Sequence, residues 1–436
     1  MRKDLLAGFA EIDITPPVGT LMCGSLKPRP SVGIQDPLML KAVVLESRGV
    51  RIAYAIFDVA MLTRRLGDRC VSRASRRTGI PAASIAWACS HTHTGPYTDD
   101  AFPYRGSRNP VNHAWLSTLP AKFAECLARA DAAKEPVRVS RLRAYTSCVS
   151  HNRRYRYKDG REINTWLLNS GEDDLQCVGA AGPIDPEIGG LAFDDRLGRL
   201  RGLLFCFTLH ANANFGDRFS GDYPAVVAAR IRECHGPDVS TLFVPGACGD
   251  LNPVMSYRQT GDVLAGEILR ALDRRRPTRT PVTVGARRRD LTVPYRNWRV
   301  SQDGRIDASQ WPKEIRDLFR QNLAIIRRRG ETSVRTRVTT WHVGDVAFAG
   351  LPGEPFVEVG LALKRRSPFP WTYPVELCGD YAGYLVTRQA WESGGYEGLI
   401  STVAPVDVRG VEMMSDAALH MLAELRAGPD RAVGQR

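Results

Sequence analysis

An α/β fold on one large mixed sheet flanked by helices is what the 436-residue chain predicts, and three observations carry that reading. Short apolar runs suited to buried strands alternate with amphipathic stretches of helical period. Polar residues able to do chemistry sit directly after several of those runs, which puts the active site at the C-terminal ends of strands. No repeat or long linker breaks the alternation, so residues 1–436 read as a single catalytic domain.

The elements follow in order. An apolar run at 51–57 is a strand, and a basic amphipathic stretch at 61–78 a helix. The strand at 84–89 runs straight into Ser90-His91-Thr92-His93-Thr94-Gly95-Pro96. A helix at 114–133 and a strand at 137–149 come next. The Gly/Asp/Pro-rich stretch 155–198 reads as an insertion or lid over the sheet ends. A strand at 202–209 stops at His210, and a helix spans 223–235. The strand 240–244 enters the turn Pro245-Gly246-Ala247-Cys248-Gly249-Asp250. Helices at 259–275 and 311–329 bracket strand material at 281–293. Two runs flanking Gly344-Asp345 form a hairpin. The second of them ends at Leu351-Pro352-Gly353-Glu354, before helices at 356–366 and 414–426.

Composition excludes several classes. With 43% apolar and 25% charged residues, the chain can bury a core and is not disordered. No apolar run reaches the ~18 residues of a membrane span. The N-terminus lacks the apolar segment of a secretory signal, so a cytoplasmic setting is expected. Ten scattered cysteines with no CxxC pair read as reduced thiols. The net charge is +13, from 52 arginines and 8 lysines against 47 acids. Runs such as Arg274-Arg275-Arg276, Arg287-Arg288-Arg289 and Arg327-Arg328-Arg329 raise a nucleic-acid reading, but they are spread along the chain without a recognition motif. Most sit where helices end or loops begin, all are read as solvated surface, and no nucleic-acid partner is expected.

His91, His93, His210, Asp250, Asn252 and Glu354 all follow strands. Two histidines and a glutamate are ligands that catalytic zinc prefers. On an extended segment, the i, i+2 spacing of His91 and His93 points both to one face. Cys248 lies in the same turn, without an adjacent histidine.

The motifs resemble the neutral/alkaline non-lysosomal ceramidase family over residues 8 to about 400. The resemblance rests on Gly8-Phe9-Ala10-Glu11-Ile12-Asp13-Ile14-Thr15-Pro16-Pro17, on His91-Thr92-His93-Thr94-Gly95-Pro96, and on His210 after its strand. Pro352-Gly353-Glu354, Tyr384-Leu385-Val386-Thr387-Arg388 and Tyr396-Glu397-Gly398 follow in the family's order. It implies one catalytic zinc ion held by His91, His210, Glu354 and Tyr384. It also implies that His93 contacts the polarised carbonyl, that Arg153 points into the site and that Tyr396 is a further active-site tyrosine. Asp58 and Asp222 resemble family positions near the site, where either could orient a ligand histidine through its second ring nitrogen, with a helix N-cap the other reading for Asp222. Asn252 stands in Gly249-Asp250-Leu251-Asn252-Pro253, where the family carries a serine, and the ~36 residues after the matched region are expected to be too few for the family's C-terminal immunoglobulin-like domain. The expectation is a zinc-dependent amidohydrolase that cleaves the carbon–nitrogen bond of a small-molecule N-acyl substrate with zinc-activated water. The substrate is expected to be smaller or more polar than long-chain ceramide. Proton transfer to the amine falls to His93, Asp250 or a water. An esterase or carbohydrate N-deacetylase on the same site, a silent zinc-binding protein and a nucleic-acid binder are the alternatives.

Overall fold

The computed structural model describes residues 5–24, 29–98, 111–164, 177–278, 282–297, 313–398 and 403–428. Its main sheet has eight strands: β1 (Leu5–Asp13), β2 (Met39–Ser47), β3 (Val50–Phe57), β4 (Ile85–Cys89), β5 (Glu135–Tyr145), β6 (Glu187–Asp194), β7 (Leu200–Phe207) and β8 (Ser240–Pro245). They lie in the order β8-β7-β6-β5-β1-β2-β3-β4. The outer pairs β7–β8 and β3–β4 are parallel, and the inner pairs antiparallel. The large mixed sheet flanked by helices is therefore present as the sequence predicts.

Alternate residues along these strands feed two different cores. Leu40, Ala42 and Val44 of β2, with Ala53, Ala55 and Phe57 of β3, pack under helices α1 (Arg64–Thr78) and α2 (His113–Ala132). Leu203, Phe205 and Phe207 of β7 do the same under α3 (Asp222–His235) and α4 (Tyr257–Asp273). The intervening side chains, among them Tyr54, Ile56, Leu204 and Val244, meet a second sheet. That sheet has the order β9 (Val284–Pro294), β10 (Ser333–Val343), β11 (Val346–Gly350) and β12 (Trp371–Val375), with β11 and β12 parallel. Trp341 ties the layers, stacked 5.2 Å from Tyr54 and 5.0 Å from Phe348. Helix α5 (Lys313–Arg329) precedes β10. Helix α6 (Val357–Arg366) follows β11, and α7 (Arg388–Ser393) and α8 (Val408–Ala427) close the chain. Leu363 of α6 and Val411, Met414 and Met421 of α8 cover the outer face of the second sheet.

Two expectations are corrected here. The stretch 155–198 is not one insertion or lid, because residues 187–194 form β6 inside the main sheet (165–176 lie outside the described residues). Its glycines suggested a loop, yet they serve close packing. A Cβ on Gly190 would sit 1.9 Å from the Leu204 carbonyl oxygen, and its φ of +137° disfavours any side chain. Gly190→Ala is expected to cost about 2–4 kcal/mol of stability, measurable by urea unfolding. Second, Arg287, Arg288 and Arg289 lie inside β9, paired with Thr340, Thr339 and Val338, and not at a helix end or loop start. The Gly344-Asp345 hairpin forms as read, with Val343 opposite Val346.

Candidate active site

His91 follows β4 and His210 follows β7, so each is delivered by a strand of one of the two parallel pairs at the sheet's margins. Their Nδ1 atoms donate to backbone carbonyls, His91 to Ala60 at 2.8 Å and His210 to Cys248 at 2.7 Å. That fixes each imidazole with its Nε2 lone pair directed inward. The carbonyls take the role that the sequence reading offered to Asp58 and Asp222. Asp58 instead accepts from the Met39 N–H, and Asp222 from the N–H groups of Asn214 and Tyr223. The extended-segment argument for His91 and His93 is also corrected. His91 has φ +64°, a left-handed residue, and that turn brings its Nε2 to 3.4 Å from the Nε2 of His93.

Glu354 and Tyr384 come from a short parallel pair, Glu354–Pro355 beside Tyr384–Leu385, in which they are register partners. Paired residues of parallel strands project to the same face, so one ladder aims both side chains into the site. The Glu354 carboxylate Oε2 lies 3.2 Å from His91 Nε2 and 3.4 Å from His210 Nε2. Tyr381 donates to its other oxygen at 3.1 Å. Gly249 allows this approach, since a Cβ there would fall 2.5 Å from the Glu354 carbonyl oxygen.

These donors fit a metal ion. Among the described residues, His210 Nε2 and Glu354 Oε2 are buried and make no hydrogen bond, a costly arrangement unless a cation satisfies both. Tetrahedral zinc with bonds of 2.0–2.1 Å has ligand atoms ~3.3 Å apart, matching the separations above. Ligand atoms of His91, His93 and His210 also lie within 4.8 Å of one another. His93 differs from the other two in that its Nδ1 has no hydrogen-bond partner among the described residues, so its ring is less fixed. Burial opposes protonation of His91, but Glu354 outweighs it and lifts that imidazole to about 9. Burial and Arg153 bring His210 down to about 4. Burial would raise Glu354, yet the two imidazoles hold it well below the usual carboxylate range.

A second group adjoins the first. Arg153 is buried, and its guanidinium donates to Tyr384 Oη at 3.0 Å, Glu397 Oε1 at 2.8 Å and Asn252 Oδ1 at 3.2 Å. Asn212 donates to the same Asn252 oxygen at 3.2 Å. Asn252 therefore accepts here, bracing Arg153. Tyr396 completes the wall, its ring centroid 5.9 Å from that of Tyr384. Asp250 is committed elsewhere: its carboxylate accepts from Asn152 Nδ2 at 2.6 Å and the Val357 N–H at 2.8 Å, and its carbonyl from the Arg153 N–H. Cys248 donates its thiol to Glu376 at 3.1 Å, and burial with that carboxyl pushes the thiol well above its ordinary value. It is no thiolate nucleophile.

The sequence reading assigned no role to Glu397, Tyr381 or Glu376. Glu397 is fully buried between Arg153, Arg154 and Asn164. Its place in Tyr396-Glu397-Gly398 was the available signal. Tyr381 and Glu376 carry none, because their meaning lies in contacts far away in sequence.

Asp222 supplies a pH test. Burial raises its carboxyl to about 7, only partly offset by the N–H groups of Tyr223 and Asn214. Between roughly pH 4 and 7 the folded chain keeps a proton there that the unfolded chain releases. The stability it contributes is complete below about pH 4 and is lost as pH rises through 7. Asp222→Asn, which cannot ionise, should lose less stability than the parent between pH 5 and pH 8. Urea unfolding at the two values checks this, and equal losses would contradict it.

No protein-family model and no curated protein sequence matches the chain. Solved structures do. A ceramidase complexed with C2 superposes with a TM-score of 0.71 at 17% identity, covering 98% of this chain and 76% of that one. The neutral ceramidase from Pseudomonas aeruginosa gives a TM-score of 0.73 at 16% identity, with 98% and 75% covered. The fold is thus that of the neutral ceramidases, and it encloses a group of histidines able to hold a metal ion. No described helix is long and apolar enough to cross a membrane.

Proposed function

We propose that the protein is a zinc-dependent hydrolase that cleaves the carbon–nitrogen bond of an N-acyl amide. The observation that carries this reading is the pair of unbonded buried atoms, His210 Nε2 and Glu354 Oε2, facing His91 Nε2 at tetrahedral spacing. His91, His210 and Glu354 would hold the ion, with Tyr384 as the fourth ligand. When bound, zinc polarises a carbonyl and lowers the pKa of a water towards ~7.

The chain's own residues supply the rest. Arg153, anchored by Glu397 and Asn252, aims its guanidinium at Tyr384 Oη and at the negative charge that develops on the amide oxygen. Asp250 and Cys248 are engaged by other groups, so the proton of the attacking water is taken by His93 Nε2, directly or through a further water. The imidazole delivers that proton to the amine nitrogen as the C–N bond breaks. Arg29 clamps the mouth, donating to the carbonyls of His93, Phe215 and Gly216. Phe215 beside it is 73% exposed, and Val32 58%, an apolar rim suited to an acyl chain.

The test is amine release by the zinc-loaded protein from short N-acyl amino acids and from detergent-dispersed ceramide, the amide that the solved neighbours are named for. Preference for the short acyl amino acids is expected by kcat/KM. Preference for ceramide would overturn the proposed polar substrate, and no turnover of any amide would overturn the hydrolase reading.

A further inference from the structure

Helix α4 starts just after Asn252 and ends at the run Arg274-Arg275-Arg276, which the amide chemistry does not use. Its 17 residues at 1.5 Å each place that far end ~25 Å away. A cleft of about 710 Å³ opens there, between the end of α4, the end of β5, the 344–345 turn and Trp371. Val346 and Trp371 begin the parallel strands β11 and β12, whose opposite ends lead to the active site.

The cleft is strongly basic. Arg141, Arg143, Arg270, Arg274, Arg275 and Arg276 line it, against the carboxylates of Glu267 and Asp345. Arg143 pairs with Glu187 at 3.1 Å, Arg275 with Asp194 at 2.7 Å, and Arg270 with Glu267. Asp345 is taken by Arg426 at 2.9 Å. Arg141, Arg274 and Arg276 have no carboxylate partner among the described residues. Arg141 is not a loose surface cation: its guanidinium carbon lies 3.5 Å from the Trp371 ring centroid. Its buried Nε makes no hydrogen bond among the described residues. The indole therefore fixes the plane of this guanidinium and pre-orients its fork at the cleft wall.

We infer that this cleft is a second ligand site, for a small molecule carrying a di- or triphosphate group. Three uncompensated guanidinium groups match an anion of two or three charges, and their planar forks match phosphate oxygens. A carboxylate monoanion would leave two of them unbalanced. A nucleic-acid track is disfavoured because the other arginine runs, on β9 and at the end of α5, do not line the cleft. The assignment stands apart from the amide reading, since it shares no residue with that site.

Titration calorimetry of the full chain with pyrophosphate, and separately with inorganic phosphate, tests it at about 150 mM salt, where diffuse surface attraction is screened. One saturable site is expected, with pyrophosphate the tighter ligand. Arg274 and Arg276 are exposed, so Arg274→Glu with Arg276→Glu should fold normally and keep amide hydrolysis. The pair should weaken pyrophosphate about tenfold or more, the scale of losing a charged hydrogen bond. Absence of saturable binding up to millimolar pyrophosphate, or binding unchanged by the double reversal, would overturn the site. Tighter binding of a 20-nucleotide strand than of pyrophosphate, with a steep salt dependence, would replace it with a nucleic-acid surface.

Discussion

Glu354→Ala is expected to abolish both metal retention and amide hydrolysis, with a rate loss on the order of a thousandfold or more. The substitution removes the carboxylate that His91 Nε2 and His210 Nε2 both face, at 3.2 and 3.4 Å. Glu354→Gln keeps the shape and one acceptor, so it separates loss of charge from loss of packing. It should bind zinc weakly and remain folded. Elemental analysis of the dialysed variants, with melting curves, reads both effects. His113→Ala and His420→Ala, on histidines remote from the site, should leave zinc content unchanged. A Glu354→Ala protein that kept stoichiometric zinc would remove Glu354 from the ligand set.

The second large effect is expected at Arg153. Its guanidinium joins Tyr384, Asn252 and Glu397, and removing it takes one of the two cationic partners of the buried Glu397 carboxylate, leaving Arg154 and Asn164. Losing one partner of a buried, still-paired carboxylate costs about 1–3 kcal/mol, so Arg153→Ala should lose stability as well as turnover. Asn252→Ala resolves the two contributions. It leaves the Arg153–Glu397 pair intact and removes the Asn252 oxygen that Arg153 and Asn212 share, each at 3.2 Å. Turnover should fall about 10- to 1,000-fold, with the melting temperature nearly unchanged and KM little affected. If the reaction instead needed a side-chain hydroxyl at position 252, Asn252→Ser would raise activity above the parent. Under the present account it lowers it, because serine is too short to hold Arg153.

Much of this site is legible in the sequence because its histidines close apolar strands. His91, His93 and His210 sit where strand ends converge, and the sheet needs no long-range information to place them there. Glu354 and Tyr384 are different. They lie 30 positions apart and meet through a two-residue ladder that no local pattern announces. The partners of the His91 and His210 imidazoles are backbone carbonyls, which every residue owns, so sequence offers Asp58 and Asp222 in their place. Glycine caused the main error in the fold. In β6 it marks contact too close for a side chain, while in sequence it looks like the start of a loop. The second sheet stayed unseparated for a related reason. Its strands have the same apolar alternation as the first, and periodicity does not say which sheet a strand joins.

Zinc titration into the chelator-stripped protein, with amide hydrolysis followed at each addition, bears most directly on the central claim. Activity should rise linearly and stop at one zinc per chain, and His91→Ala treated in the same way should stay inactive throughout. Full hydrolysis by the stripped protein before any zinc is added would contradict the account.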